Sequence, residues 1–154
     1  MKPEKPFPLV AVAVPIFCAW QSRDLINAWQ HSPHDRLGWL ALFLWLMPLA
    51  VRVTGKRRAE LSANFILLGG AIVTGLLGEL SELHFLNHLA LALALAGWLK
   101  ISFRSLPWLL TAVAWMPVFG WWLAPFSEPM ILPLRLALSL AGALCLWSSL
   151  KNIN

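Results

Sequence analysis

The chain has 154 residues, of which 59% are hydrophobic and only 12% charged, and its mean hydropathy is +0.69. A soluble domain of this size carries roughly twice that charged fraction, so the surplus apolar residues have no aqueous surface to occupy and must face lipid. The net charge of +5 does not point to nucleic acid: no polar segment gathers several cations with interleaved aromatics, as phosphate binding requires.

Six hydrophobic runs, separated by charge or proline, organise the single domain predicted over residues 1–154. They extend from Phe7 to Trp20, Leu37 to Val53, Leu61 to Gly78, Phe85 to Leu99, Leu106 to Leu123 and Met130 to Leu150. Several fall short of the roughly 20 residues that cross a bilayer, so flanking polar residues must be drawn partly in. Strands are not expected, because no alternation is sustained and an open sheet edge does not survive in lipid. The predicted fold is therefore an all-α, polytopic bundle of about six transmembrane helices. Ten Trp and no Tyr leave Trp alone to form the aromatic belt at the headgroup level.

Six alternating helices would put nine cations on one side: Lys2, Lys5, Arg52, Lys56, Arg57, Arg58, Lys100, Arg104 and Lys151. The other side would receive Arg23, Arg36 and Arg135, with the acids Asp24, Asp35, Glu79, Glu82 and Glu128. The positive-inside rule makes the nine-cation side cytoplasmic, which places both termini in the cytoplasm and the chain in a bacterial inner membrane. The first run resembles a secretory signal only superficially. No small-x-small site follows it, and Phe17 rather than a small residue precedes Cys18, so a retained helix is expected.

Pro15, Pro48, Pro117 and Pro133 fall inside the runs, where each removes a backbone donor and can kink its helix. Gly69, Gly70, Gly75, Gly78, Gly97 and Gly142 are expected to let neighbouring backbones approach within the bundle. Cys18 and Cys145 lie in apolar runs without CxxC spacing and read as buried structural thiols.

The polar residues with chemical potential map almost wholly to the outer side. Arg23, Asp24, His34, Asp35, Glu79, Glu82, His84, His88, Glu128 and Arg135 form the candidate polar cluster, with His31 and Asn87 beside them. Glu79-x-x-Glu82-x-His84-x-x-x-His88 carries metal-ligand residue types. On one continuous helix the histidine pair would point more than about 100° away from the carboxylates. No metal site or other cofactor is therefore predicted, and the segment reads as a polar turn keeping helix ends in water. Arg135, about a turn and a half into an apolar run, must either snorkel to the interface or find a carboxylate, with Glu128, Glu79 and Glu82 as the candidate partners.

Three segments resemble the amino-terminal part of the exosortase/archaeosortase family of membrane transpeptidases. One runs from Asp24-Leu25 through Trp29-Gln30-His31-Ser32-Pro33-His34-Asp35-Arg36-Leu37, followed by a helix and a basic turn. The second is the Gly-rich stretch around Gly78-Glu79-Leu80. The third takes in Leu106-Pro107-Trp108, Met116-Pro117 and Trp121-Trp122-Leu123-Ala124-Pro125, then an apolar helix with Arg135. The family's Cys-Ser-Gly nucleophile motif would begin where this chain reads Lys151-Asn152-Ile153-Asn154, and Cys145 is followed by Leu146 and Trp147. No catalytic residue carries over. The resemblance implies a non-catalytic scaffold or accessory subunit of a protein-sorting or exopolysaccharide-export system, with a membrane-protein partner. A small subunit of a respiratory or photosynthetic electron-transfer complex is the alternative.

The nine-to-three division of cations can be measured. Reporter fusions after Arg58 and Arg104 are expected to read cytoplasmic, and fusions after His34 and Glu82 periplasmic. A cytoplasmic signal at Glu82 would overturn the six-helix topology.

Overall fold

The structure is a computed structural model that describes residues 9–54, 63–99 and 106–151, and it is all-helical, with no strand among these residues. The helices are α1 (Val10–Gln21), α2 (Asp24–His31), α3 (Gly38–Thr54), α4 (Phe65–Ser81), α5 (His84–Ala96), α6 (Leu106–Leu110), α7 (Pro117–Leu123) and α8 (Ile131–Lys151). Two 3-10 turns, Thr111–Trp115 and Glu128–Met130, join α6 to α7 and lead into α8. Seven of the nine expected cytoplasmic cations, all but Arg52 and Lys151, lie outside the described residues.

Contacts between the helices fix their directions. Gly38 at the start of α3 lies against the Arg135 side chain near the start of α8. Seven residues further along, Trp45 stacks on Trp108, whose carbonyl accepts from Thr111, and Thr111 fills the space over Gly142. From 38 to 45 and from 135 to 142 the two chains advance together, so α3 and α8 run in the same direction. The segment from α6 to α7 runs against them, bringing Gly120 back to Arg135. α4 and α5 form an antiparallel hairpin, closed by Gly78 against Asn87 at one end and by the Asn64 N–H to Gly97 carbonyl bond (2.8 Å) at the other. α1 runs from Ala11, whose carbonyl accepts from the Trp98 indole, to Gln21 against Gly75. Within each of these two groups, neighbouring elements in the chain therefore alternate in direction.

α5 lies at the middle of the bundle. Its Ala90, Ala92, Ala94 and Ala96 are fully buried, and side chains this small let α1 and α4 close on it from either side. Of the expected glycine contacts, Gly75, Gly78, Gly97 and Gly142 are each packed by a side chain, whereas Gly69 and Gly70 face open space.

Three tryptophans leave the belt for the core. Trp45 and Trp108 stack with ring centroids 4.2 Å apart and planes 8° from parallel, and Trp115 packs on Trp45 at 6.1 Å. Each ring of the stacked pair also satisfies the other's backbone. Trp45 Nε1 donates to the Trp108 carbonyl at 2.8 Å, and Trp108 Nε1 to the Trp45 carbonyl at 3.0 Å. A buried indole needs such an acceptor, and two indoles supplying each other's strand of helix bind α3 to α6 by reciprocal bonds. Trp20, Trp39, Trp121 and Trp122 are exposed and remain available to an interface.

The structure departs from the sequence reading at two elements. The fifth run is not one helix: α6 with its 3-10 turn meets α7 at 74°, because Met116 is extended (ψ 147°) ahead of Pro117. Proline forbids the preceding residue the α conformation, and this break is where that restriction falls. The polar stretch between the first two apolar runs is not a plain connection either, since α2 fills much of it. One helical segment, Glu128–Leu150, is long and apolar enough to cross a membrane, and the bent pair could count as a second. α1, α3, α4 and α5 are apolar but shorter.

Candidate functional site

The buried stripe of α8 consists of Ile131, Arg135, Ser139, Gly142, Ala143, Leu146 and Ser149, at helical spacing. Arg135 belongs to that stripe, so its side chain points into the bundle and is wholly buried. It does not snorkel. Its Nη2 donates to Asp35 Oδ1 at 2.8 Å and its Nη1 to the Asp35 backbone carbonyl at 3.2 Å. Phe119 of α7 lies beneath the guanidinium, 5.7 Å from ring centroid to Cζ.

The loop from Ser32 to Leu37 is shaped to hold this contact. Ser32 Oγ donates to Asp35 Oδ2 at 2.7 Å, so each carboxylate oxygen has its own donor. The Asp35 carbonyl also accepts from the Gly38 N–H at 3.0 Å, and Leu37 closes the turn at φ 61°, a left-handed conformation unfavourable for leucine. Gly38 and Gly120 make room. A Cβ on Gly120 would stand 2.6 Å from Asp35 Oδ1 and 3.1 Å from Arg135 Nη2, and one on Gly38 would stand 2.7 Å from Arg135 Nη1 and collide with the Trp29 ring. Five segments of the chain therefore converge on one ion pair.

Asp35 belongs to the expected cluster but was not among the partners expected for Arg135. Glu128, on the 3-10 turn ahead of α8, is 67% exposed and faces His34 at 3.5 Å. Glu79 and Glu82 belong to a different centre.

That second centre is the place where α1 and α2 meet the tip of the α4–α5 hairpin. His88, buried in α5, contacts Asp24 Oδ2 through Nε2 at 3.0 Å, and Ser22 Oγ donates to the Asn87 carbonyl at 3.0 Å. Beside them opens a cleft of about 610 Å³ lined by Phe17, Trp20, Gln21, Arg23, Asp24, Leu76, Gly78, Glu79, Glu82, His84 and Asn87. The ten-residue cluster is thus two groups, Asp35, His34, Glu128 and Arg135 in one, and Arg23, Asp24, Glu79, Glu82, His84 and His88 in the other. α2 bridges them, with Asp24 at its first residue and Trp29, which donates to the Trp115 carbonyl at 3.2 Å, near its last.

The acid-histidine segment 79–88 is broken by the turn at Glu82 (φ 56°) and Leu83, which leaves Glu79 on α4, Glu82 in the turn, and His84 and His88 on α5. Among the described residues no three of His, Cys, Asp or Glu converge as metal ligands. Cys18 is fully buried, and Cys145 is exposed rather than buried. The contacts of His31, His34 and His88 are to the Asn27 carbonyl, Glu128 and Asp24, none of them a thiol. Comparison of the chain with protein-family models, with curated proteins and with solved structures finds no match.

Replacing Arg135 separates the roles of charge and geometry. Arg135→Lys keeps the charge but cannot serve Asp35 Oδ1 and its carbonyl at once, and a loss of about 1.5–3 kcal/mol is expected. Arg135→Leu leaves the Asp35 carboxylate without its counter-charge and is expected to cost about 3–5 kcal/mol. Thermal unfolding of the detergent-solubilised protein reads both, and a Leu variant as stable as the parent would remove the pair from the account.

Proposed function

We propose that this chain is a multi-pass inner-membrane protein of exosortase-like architecture, acting as a non-catalytic scaffold or accessory subunit in protein sorting or exopolysaccharide export. The observation that carries the reading is the Arg135–Asp35 clamp: the buried guanidinium is tied through Nη1 and Nη2 to the backbone carbonyl and carboxylate of Asp35 inside the bundle, with Nε left without a partner. A charge in that position holds helices in register rather than performing chemistry. Among the described residues neither thiol is hydrogen-bonded to His31, His34 or His88, the arrangement a cysteine nucleophile needs for activation.

Membrane residence is supported by the surface. Ile16, Phe43, Ile66, Val73, Leu110, Leu140 and Leu144, spread over five helices, are large apolar side chains exposed in the folded chain. Water would penalise such a surface, whereas lipid tails match it. Glu128–Leu150 spans about 35 Å at the helical rise, against a hydrocarbon core of about 30 Å. In this reading the Arg135 end is periplasmic, the opposite end is cytoplasmic, and the shorter helices cross by drawing in their flanks. Trp20, Trp39, Trp121 and Trp122 then all stand near the outer interface, where an indole is favoured.

The test is complementation in the native host combined with photo-crosslinking from position 121 or 122. The Cys18→Ala, Cys145→Ala double variant is expected to restore function fully, and the crosslinker to trap one membrane protein of the sorting or export machinery. Loss of function at normal protein level would revive a cysteine nucleophile. A haem spectrum in the purified protein would favour the electron-transfer alternative.

A further inference from the structure

The apolar stretches of the bundle share one length. Between Arg36 and Arg52, across α3, stand fifteen residues without Asp, Glu, Lys or Arg; fifteen more lie between Arg135 and Lys151 on α8, and fifteen between His84 and Lys100 across α5. α4 has fourteen between its Asn64 cap and Glu79. At the helical rise each stretch is about 21–23 Å high, well short of a hydrocarbon core of about 30 Å.

Contacts in the structure hold these limits in place. α4 starts where the Asn64 side chain accepts from the Leu67 N–H at 3.3 Å, and it ends in the left-handed turn at Glu82. The Asn64 N–H to Gly97 carbonyl bond closes α5 at the same end. On α8 the outer limit is Arg135, because its contacts with Asp35 and Gly38 put it level with the start of α3. Seven residues deeper, Trp45 and Gly142 both meet the segment from Trp108 to Thr111, so the α3 and α8 stretches run side by side. The extra turn of α8, Ile131 to Leu134, stands beyond that limit, with Glu128 before it. Trp39, Phe43, Met47 and Val51, each four residues apart, form an exposed apolar stripe along α3 from one limit to the other.

A short apolar stretch enters a bilayer by snorkelling of its flanks, by self-association or by thinning of the lipid. Snorkelling serves the inner end, whose limits in the sequence are Arg52, Lys100 and Lys151, since long cationic side chains reach outward to water. It fails at the outer end. Glu79 has a short side chain, and Arg135 is wholly buried and held by Asp35. The exposed apolar side chains are spread over α1, α3, α4 and α8, more faces than one second copy covers.

We propose that the bundle thins the bilayer around it to a hydrocarbon height of about 22 Å, and that the lipid it takes as neighbour is a phospholipid with short acyl chains. The proposal rests on the membrane reading above. It places the Arg135–Asp35 clamp at the outer boundary of the apolar belt.

The test reconstitutes the full chain in nanodiscs of dimyristoleoyl, dioleoyl or dierucoyl phosphatidylcholine, which share a headgroup and differ in chain length. The thermal unfolding temperature, followed by tryptophan fluorescence, is expected to be highest in dimyristoleoyl lipid, several degrees lower in dioleoyl lipid and lower again in dierucoyl lipid. The Glu79→Leu, Glu82→Leu double variant lengthens the α4 stretch and is expected to narrow the first of these differences. Highest stability in dioleoyl or dierucoyl lipid, equal stability in all three, or an undiminished difference in the double variant would overturn the proposal. A dimer in dioleoyl lipid as stable as the monomer in dimyristoleoyl lipid would overturn it too, in favour of self-association. Failure of the membrane reading shows separately, as a chain that alkaline carbonate strips from native membranes.

Discussion

A guanidinium with no exposed surface constrains everything around it. Arg135 is unfavourable in the buried stripe of an apolar helix unless its charge is met, and the Asp35 carboxylate and carbonyl meet it through Nη2 and Nη1, leaving Nε without a partner. Satisfying it dictates the sharp Ser32–Leu37 loop, the left-handed Leu37, two positions without side chains at Gly38 and Gly120, and the bend that returns α7 to α8. The hydrophobic parts of the bundle are interchangeable in kind, since apolar side chains pack against many partners. This pair is not, and it fixes which of these helices are neighbours and in what register.

The tryptophan stack plays the complementary role seven residues deeper. Trp45 and Trp108 join the same helical groups by area and by two reciprocal hydrogen bonds. Between the ion pair and the stack, α3, α6–α7 and α8 are held at two levels. α1, α4 and α5 form the other half, assembled on small side chains, and α2 joins the halves across one end. The cleft lies on this second half, and none of its lining residues belongs to the clamp.

How much was legible in the sequence differs from element to element. The six apolar runs follow from hydropathy alone, and five of them are continuous helices in the described residues. The break in the fifth is written in Met116-Pro117, but hydropathy gives no sign of its 74° angle. α2 carried a weak signal in Leu25, Ala28 and Trp29 at helical spacing, outweighed by the polar residues between them. Arg135 stood out because an isolated charge in an apolar run needs a partner, yet its partner lies 100 residues away and nothing local marks Asp35 over Glu128. Composition likewise gives ten tryptophans without distinguishing those that stack in the core from those that face outward. Which residues line the cleft is a tertiary property, so in the sequence it was visible only as scattered polar residues.

The central claim is that Asp35 and Arg135 stabilise the bundle as a pair rather than as two independent polar residues. A double-mutant cycle measures this directly, from the unfolding free energies of the parent, Asp35→Ala, Arg135→Leu and the double variant in one detergent. The double variant is expected to lose less than the two single losses combined, by a coupling of about 1.5–3 kcal/mol, because it leaves no buried charge unpaired. Additivity of the two losses within about 0.5 kcal/mol would contradict the account.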